Sequence, residues 1–398
     1  MSAALHASHW SCRLGFLLLA VAIVGAPSIY AADETAAAPP VPATAPHVDA
    51  QGIAHLPPAS VPPSRFMSPE ARAKFIAAFF HPEPPPAAAP AAPGAPDAPP
   101  DYAAMRTGDE RRNAPFVARA RELYPVRIEE RSIGGVHTQV VTPVAGIARA
   151  NRHRVLINLH GGGFIWGEGN GARIESIPIA GIGRIKVITV AYRMAPEFRF
   201  PAASEDVAAV YRELLKQYPA RNIGIYGCSA GGMLTAMSVA WFEKHNLPRP
   251  GAVGIFCAGA GSPTGAGFGG DAAYTAGPLG EARIMAAPTK QNARPNQASG
   301  GLGYLAGTDP KDPLVAPINS PEIMAKFPPT LIITATRGFE MSSALYTHSQ
   351  LVKLGVDAEL HVWEALFHGF FYNPDVPESR DCYDVIVKFF NRHLGQRT

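Results

Sequence analysis

The chain has 398 residues, 47% of them hydrophobic, which is enough for one large domain with a sizeable core and for additional segments. The formal net charge is only +3, and no long run of Lys or Arg occurs, so the composition argues against nucleic acid or another acidic polymer as a partner.

Residues 1–32 have the features of a secretory signal peptide. Arg13 precedes an apolar run at 14–24, and small residues follow up to Ala32. A run of about eleven apolar residues is too short to span a bilayer comfortably. We therefore predict that the protein is exported, to the periplasm or the medium, and that it is not stably inserted in a membrane.

Two Pro/Ala-rich segments flank a short helical pattern. Residues 33–65 favour an extended tether, because Pro and Ala at this density build neither a helix nor a core. Residues 66–80 carry aromatic and apolar side chains at helical spacing after a Ser-Pro-Glu start, and a second Pro/Ala-rich stretch occupies 81–100. Another helix is predicted at 115–124.

Regular structure begins near residue 126. Two alternating segments, 126–133 and 136–143, surround Gly134-Gly135, a pattern typical of a hairpin at a sheet edge. The later strands are continuously apolar and alternate with helix-length segments, which predicts an α/β fold with a mostly parallel, doubly wound sheet. The predicted strands are 155–159, 187–191, 223–226, 253–257, 330–335 and 358–363, and the predicted helices are 202–218, 233–245, 342–354 and about 382–393.

A serine stands between small residues at a strand-to-helix junction, in Gly227-Cys228-Ser229-Ala230-Gly231. The pattern matches the G-x-S-x-G nucleophile elbow, in which bulky neighbours would collide with the adjoining strand and helix. So short a pattern also occurs by chance in a plain strand-turn-helix connection, so its context has to decide.

A glycine run follows the strand 155–159, in His160-Gly161-Gly162-Gly163-Phe164. Glycines let backbone N–H groups approach a substrate, and such donors stabilise the oxyanion that forms in acyl transfer. The predicted donors are Gly161, Gly162 and Ala230. The alternatives are a tight turn and a phosphate loop, and no Lys follows in the P-loop pattern. We expect His160 to brace the loop.

The predicted general base is His368. In the strand order of this fold class the histidine comes after the last strand, and His368 stands there in Phe367-His368-Gly369-Phe370. Among the other histidines, His348 falls in a predicted helix and His361 in a predicted strand.

From about residue 66 onward, the chain resembles the hormone-sensitive-lipase-like family of α/β-hydrolases. The resemblance implies carboxylic ester hydrolysis, usually of short acyl chains. It also implies a catalytic domain at 126–398 and a cap over the site built from helices in 66–125 and an insertion near 260–308. The motifs that carry the resemblance are 160–164, Tyr192-Arg193-Met194-Ala195-Pro196-Glu197, Phe200-Pro201-Ala202-Ala203, 227–231, Asp312-Pro313-Leu314 and His368-Gly369-Phe370.

One position departs from the family pattern. The resemblance places an aspartate after the strand 330–335, where this chain has Gly338, and Glu340 is the nearest carboxylate. Two residues can displace a Cα by up to about 7 Å, which one extra methylene does not span unless the loop is rebuilt. Glu340 is therefore the first choice as the acid, with Asp312 or Asp309 as substitutes, although Asp312 is also suited to bracing a turn.

The sequence leaves two main hypotheses. The first is an exported serine ester hydrolase for short-acyl or small aromatic esters, with Ser229, His368 and Glu340 as its triad. No organic cofactor or metal is needed, and no ligand pattern for either occurs. The second is a catalytically impaired hydrolase-fold protein that binds a small ligand, motivated by Gly338. Amide or lactone hydrolysis at the same site stays open, as does the oligomeric state, for which a homodimer is the commonest assembly.

Overall fold

The computed structural model describes residues 64–80, 101–261 and 303–396, together with one short strand pair. That pair, β1 (His47–Val48) and β2 (Ala54–His55), is antiparallel and belongs to a separate unit of residues 1–61. The predicted signal peptide, the Pro/Ala-rich stretch at 81–100 and most of the predicted cap insertion lie outside the described residues.

The main sheet has eight strands in the described part of the chain, in the order β10-β9-β8-β7-β5-β6-β4-β3. All neighbouring pairs are parallel except β3 with β4 and β4 with β6, so the predicted edge hairpin is present. The mostly parallel α/β fold class is thereby confirmed. The strands are β3 (Val126–Ile133), β4 (Val136–Pro143), β5 (Val155–Leu159), β6 (Lys186–Val190), β7 (Ile223–Cys228), β8 (Ala252–Phe256), β9 (Thr330–Ala335) and β10 (Ala358–Trp363).

Helices cover both faces of this sheet. In the described residues no helix is long and apolar enough to cross a bilayer. The helices are α1 (Pro69–Phe80), α2 (Tyr102–Leu123), α3 (Asn170–Gly183), α4 (Ala202–Leu215), α5 (Ala230–Lys244), α6 (Pro321–Met324), α7 (Met341–Lys353) and α8 (Pro377–His393).

Two long helices differ most from the sequence prediction. Helix α2 begins at Tyr102 rather than at 115, because the side chain of Asp101 accepts the N–H of Ala104 (2.9 Å) and Pro115 is accommodated inside the helix. Helix α3 was not predicted. It contains Pro178 and is buried along most of its length, so its sequence lacks the polar face that reveals a surface helix.

The core lies on both faces of β5, all five residues of which are buried. Ile157 and Leu159 pack in the cluster that contains α4 and α5, whereas Leu156 packs in the cluster that contains α3 and α8. Burial on both faces explains why the strand reads as one continuous apolar run. It also fixes the ends of the parallel strands, from which the site is built.

The carboxyl ends of the parallel strands meet at one edge of the sheet. Leu159 pairs with Gly227 and Cys228 pairs with Phe256, while Ala335 at the end of β9 pairs with Trp363 at the end of β10. In open α/β sheets, ligands bind outside this edge. The serine, glycine and histidine motifs of the sequence all follow these strand ends.

Candidate active site

Ser229 occupies a sharp turn between β7 and α5. Its backbone has φ 58° and ψ −122°, which a non-glycine residue rarely adopts. Its N–H donates to the carbonyl of Phe256 at 2.8 Å, so the turn is anchored to β8. A Cβ at Gly227 or Gly231 would lie 2.2 or 1.8 Å from the carbonyl oxygen of Leu159, which is why both neighbours are glycine. The strained turn exposes the serine side chain beyond the strand end.

His368 and Glu340 lie in direct contact. Glu340 Oε2 is 2.9 Å from His368 Nδ1, and Glu340 Oε1 accepts the hydroxyl of Thr334 at 3.0 Å. The carboxylate is fully buried, whereas the imidazole side chain is 14% exposed. Phe339 stacks on the imidazole with ring centroids 4.4 Å apart. This arrangement holds the ring in one orientation and one tautomer, as a triad acid does for its histidine.

The loop after β9 explains how a carboxylate two residues late reaches this position. Gly338 N–H donates to Ala335 O (2.9 Å) and Met341 N–H donates to Gly338 O (3.1 Å), so the chain turns back on itself. A Cβ at Gly338 would lie 2.4 Å from Glu340 Oε1. The carboxylate of Glu340 thus lies against the space that a side chain at 338 would fill. The expected 7 Å displacement does not apply, because the loop is not extended.

The substitute acids have other partners. Asp312 Oδ1 accepts the N–H of Leu314 at 2.9 Å, and Asp309 Oδ1 accepts the N–H of Lys311 at 2.9 Å. Asp312 therefore braces a turn, which is the second role that the sequence suggested for it.

Cys257 connects the loop that carries His368 to the end of β8, where the serine turn is anchored. It follows Phe256, whose carbonyl binds Ser229 N–H, and its Sγ accepts the N–H of Gly369 at 3.3 Å. The ligand-type atoms of Cys257, Glu340 and His368 lie within 4.8 Å of one another. Both oxygens of Glu340 are already hydrogen-bonded, so the cluster is arranged as an acid and a base rather than as an open metal site.

Gly161, one of the three predicted oxyanion donors, has another hydrogen-bond partner in the structure. Its N–H donates to Glu175 Oε1 at 2.8 Å, and this bond directs it into the protein, away from a substrate. A Cβ at Gly161 would lie 2.8 Å from the hydroxyl of Tyr372, so glycine is required here for packing. The two other predicted donors, Gly162 and Ala230, stay a prediction. Gly162 has φ 107°, and Ala230 is the first residue of α5, whose N–H has no partner within its helix.

His160 braces the glycine loop, as expected. The residue is fully buried, its Nδ1 lies 2.7 Å from Gly161 O, and its ring stacks on Tyr192 at 4.2 Å. Burial lowers the pKa of the imidazole to about 4. The ring therefore stays neutral at ordinary pH, and only one of its two nitrogens carries a hydrogen. Since the carbonyl of Gly161 can only accept, that hydrogen is on Nδ1.

Glu175 of α3 is a site residue that sequence reasoning missed. It is 4% exposed, and its carboxylate accepts hydrogen bonds from Gly161 N–H, from Asn158 Nδ2 (2.9 Å) and from the hydroxyl of Tyr372 (2.7 Å). Burial raises its pKa to about 7, against the opposing effect of these bonds and of one from the backbone of Cys228. The available signal was a lone acidic residue within an apolar segment, because such a residue has to find partners.

The first helices of the domain reach the same edge. Phe75 of α1 stacks on Phe367, next to His368, with centroids 5.6 Å apart, and the guanidinium of Arg337 lies over Phe75 at 4.7 Å. Arg106 of α2 donates to the carbonyl of Ile165, just after the glycine loop, at 2.8 Å. These contacts place α1 and α2 beside the site. The cap as a whole stays a prediction.

Comparison with known proteins gives a consistent identification. A family model described as the alpha/beta hydrolase fold matches residues 156–372. An acetyl-hydrolase of Streptomyces hygroscopicus is 29% identical over 252 residues, which span 61% of this chain and 77% of that protein.

Solved structures agree. The crystal structure of the esterase E25 has a TM-score of 0.69 at 28% identity and covers 85% of this chain and 98% of its own. The crystal structure of an esterase from the bacterial hormone-sensitive lipase family has a TM-score of 0.60 at 23% identity, covering 75% of this chain and 100% of its own, and supports the fold alone. The chain therefore belongs to the α/β-hydrolase family, and it is a carboxylesterase-like hydrolase.

Proposed function

We propose that the protein is an exported serine hydrolase that cleaves short-acyl or small aromatic carboxylic esters through an acyl-enzyme. The observation that carries the mechanism is the 2.9 Å contact between buried Glu340 and His368, at the strand edge that also presents Ser229. These groups have the residue types of a nucleophile, an orienting acid and a base, and Ser229, Glu340 and His368 follow one another along the chain in that order.

In this mechanism His368 removes the proton of Ser229 Oγ as the oxygen attacks the ester carbonyl carbon. The tetrahedral intermediate collapses, the C–O bond to the alcohol breaks, and the imidazolium returns the proton to the departing alcohol. A water molecule, deprotonated by His368, then attacks the acyl-enzyme. This second step releases the carboxylic acid and regenerates the serine hydroxyl.

The proposed oxyanion donors are the N–H groups of Gly162, Gly163 and Ala230. Gly163 replaces Gly161, whose N–H is bound to Glu175. The α5 amino terminus adds a favourable dipole at the Ala230 N–H, since the first N–H groups of a helix carry partial positive charge. The loop supplies backbone donors without side chains in the way.

Two features support the substrate class. The similar proteins include an acetyl-hydrolase, which favours short acyl groups. Near the site, Phe339 stacks on the imidazole of His368 and Phe75 stacks on Phe367, and aromatic rings in this place suit a small aromatic or apolar ester.

Hydrolysis of p-nitrophenyl acetate and butyrate tests the triad. Ser229→Ala is expected to abolish the enzymatic rate, and Glu340→Gln to lower kcat on the order of 10³- to 10⁴-fold, because it removes the carboxylate that orients His368. Asp312→Asn is the matched control and is expected to keep wild-type turnover. Activity in Ser229→Ala equal to wild type would refute the mechanism.

The alternative, an impaired protein that binds a ligand without turnover, was suggested by Gly338. The position of Glu340 supplies a carboxylate to His368 and so favours turnover. The alternative predicts no Ser229-dependent rate in the wild type and a gain in Gly338→Asp. The ester hydrolase predicts a loss in that variant.

Export rests on residues 1–32, with Arg13, the apolar run and the small residues that end at Ala32. Mass spectrometry of the protein recovered from a periplasmic fraction or the medium is expected to give an amino terminus close to residue 33. An intact amino terminus in a cytoplasmic fraction would contradict this part of the proposal.

A further inference from the structure

One buried carboxylate touches the segments that carry the proposed site. Glu175 Oε1 accepts the N–H of Gly161 at 2.8 Å and the hydroxyl of Tyr372 at 2.7 Å. Gly161 belongs to the glycine loop, and Tyr372 lies four residues after His368. The carboxylate therefore joins the loop that holds the oxyanion donors to the loop that holds the base.

The same side chain also reaches the central strands. Its Oε2 accepts Asn158 Nδ2 of β5 at 2.9 Å. A backbone hydrogen bond from Cys228, the residue before Ser229, lowers the pKa of the carboxyl. Glu175 thus has a partner on the nucleophile strand as well, and every partner is a neutral donor.

Hydrogen bonds of Glu175, Tyr192 and His160 together fix the peptide planes of the glycine loop. The peptide between His160 and Gly161 is held at both ends, because Tyr192 Oη donates to His160 O (2.6 Å) and Gly161 N–H donates to Glu175. The next peptide is held by His160 Nδ1 at Gly161 O. In a trans peptide the N–H and C=O point in opposite directions. The N–H of Gly162 therefore points away from the His160 ring, where it is available to a substrate.

We propose that Glu175 is a positioning residue for the reaction: by holding Gly161, the backbone of Cys228 and Tyr372 in one arrangement, it aims the Gly162 N–H at the oxyanion. This inference rests on the proposed ester hydrolysis at Ser229. Glu175 does not touch the substrate. Its contribution appears when the oxyanion forms, because the donors that it orients bind that oxygen more strongly in the transition state.

The test variant is Glu175→Gln, which preserves size but places an amide N–H₂ against donors that now bind a carboxylate oxygen. With p-nitrophenyl butyrate we expect kcat to fall about 10- to 100-fold while KM stays within about threefold. The inhibition constant of a trifluoromethyl ketone, which forms a tetrahedral adduct with the serine, should rise by a similar factor. If Glu175 only stabilised the fold, a folded sample of the variant would keep the wild-type kcat and the wild-type inhibition constant.

Two further variants complete the test. Ser176→Ala is the matched control, because Ser176 is fully buried on the same helix but donates only within it, to Ala172 O at 3.0 Å. It is expected to leave kcat unchanged. Tyr372→Phe removes one donor to Glu175 and is expected to lower kcat about three- to tenfold at constant KM. It keeps the inference testable if Glu175→Gln does not fold.

The outcomes separate this inference from the proposed function. Covalent labelling by a fluorophosphonate probe reports whether Ser229 is a competent nucleophile. If the wild type is neither labelled at Ser229 nor active, the proposed function fails. If it is labelled and active but folded Glu175→Gln and Tyr372→Phe match it in kcat and in inhibitor affinity, only the positioning role of Glu175 is overturned.

Discussion

Two buried glutamates stand at the same edge of the sheet and have different surroundings. Glu340 is fully buried and faces an imidazole, which can take a positive charge beside it. Glu175 is 4% exposed and faces only neutral donors, and burial raises its pKa to about 7. The comparison shows that the two buried carboxylates differ in their partners: Glu340 contacts an imidazole, and Glu175 binds backbone and side-chain donors.

Each glutamate also explains a neighbouring glycine. A Cβ at Gly338 would lie 2.4 Å from Glu340 Oε1, and a Cβ at Gly161 would lie 3.4 Å from Glu175 Oε1 and closer still to Tyr372. In both loops the glycine leaves room for groups supplied from elsewhere in the chain. The glycine at 338 therefore leaves room for the carboxylate of Glu340.

The largest expected effect comes from moving the acid. Glu340→Ala should lower kcat about 10³- to 10⁴-fold, because the imidazole loses the carboxylate that orients it. Adding Gly338→Asp to that variant restores a carboxylate where Glu340 left space, and we expect at least about a tenfold recovery of kcat. Ester hydrolysis by the single and double variants measures both steps.

The control for this relocation is Gly338→Asp in the wild-type background. There the new side chain collides with Glu340, so activity should fall rather than rise. If the double variant is no more active than Glu340→Ala while folding normally, the turn after β9 does not allow the two positions to exchange roles.

The next effect concerns Glu175 and pH. Its pKa is raised from the ordinary 4.5 to about 7, so its favourable contribution to folding is complete below pH 4.5 and is lost as the pH rises through 7. The stability of the wild type relative to Glu175→Gln should therefore fall by on the order of 3 kcal/mol over that interval and stay constant above it. Denaturant unfolding of both proteins at several pH values measures this difference.

Another buried group shapes the pH dependence in the opposite direction. Burial lowers the pKa of His160 to about 4, so its contribution to stability is lost as the pH falls from 6.5 through 4. It is present in both proteins and cancels in their difference. A difference that is independent of pH between 4.5 and 7 would show that Glu175 titrates normally.

A smaller effect is expected from a single methyl group at 338. Gly338→Ala places that methyl group 2.4 Å from Glu340 Oε1, so either the carboxylate or the turn has to move. We expect about 1–3 kcal/mol of destabilisation and a loss of turnover. Gly108→Ala is the matched control, because no atom beyond the neighbouring backbone of its own helix lies within 4 Å of its added Cβ and alanine favours the helix α2. In denaturant unfolding, Gly338→Ala should lower the free energy of unfolding and Gly108→Ala should raise it.

The sequence predicted the fold and the strand ends well, because burial on both faces makes each parallel strand a continuous apolar run. Strand 155–159 and the hairpin at 126–143 were predicted within their observed bounds. Helix α3 was not predicted, because a helix that is buried on nearly every side shows no amphipathic period.

The site was predictable only as far as local motifs extend. Ser229 and His368 each lie in a local pattern, and the structure brings the elements that carry them to one edge of the sheet. The contact of Glu340 depends on how the loop after β9 turns, and the binding of Gly161 depends on a carboxylate 14 residues away. Neither of these contacts is encoded in the spacing of a motif.

The smallest expected effects test how α2 is attached beside the glycine loop. Arg106 donates to the carbonyls of Ile165 (2.8 Å) and Ala195 (2.9 Å) and pairs with Glu197. The Glu197 side chain is 50% exposed, so Glu197→Gln should cost less than about 1 kcal/mol. Arg106→Ala should lower the free energy of unfolding by more, about 1–2 kcal/mol, because two carbonyls lose a charged donor.

The matched control for this pair is Arg119→Ala on the same helix. Arg119 bonds only to exposed carboxylates, those of Asp375 and Glu122, so the substitution should leave the free energy of unfolding unchanged. Because Ile165 lies just after the glycine loop, Arg106→Ala should also raise KM for p-nitrophenyl butyrate more than it lowers kcat. If Glu197→Gln and Arg106→Ala are equally destabilising, the ion pair rather than the two carbonyl contacts attaches α2 at this point.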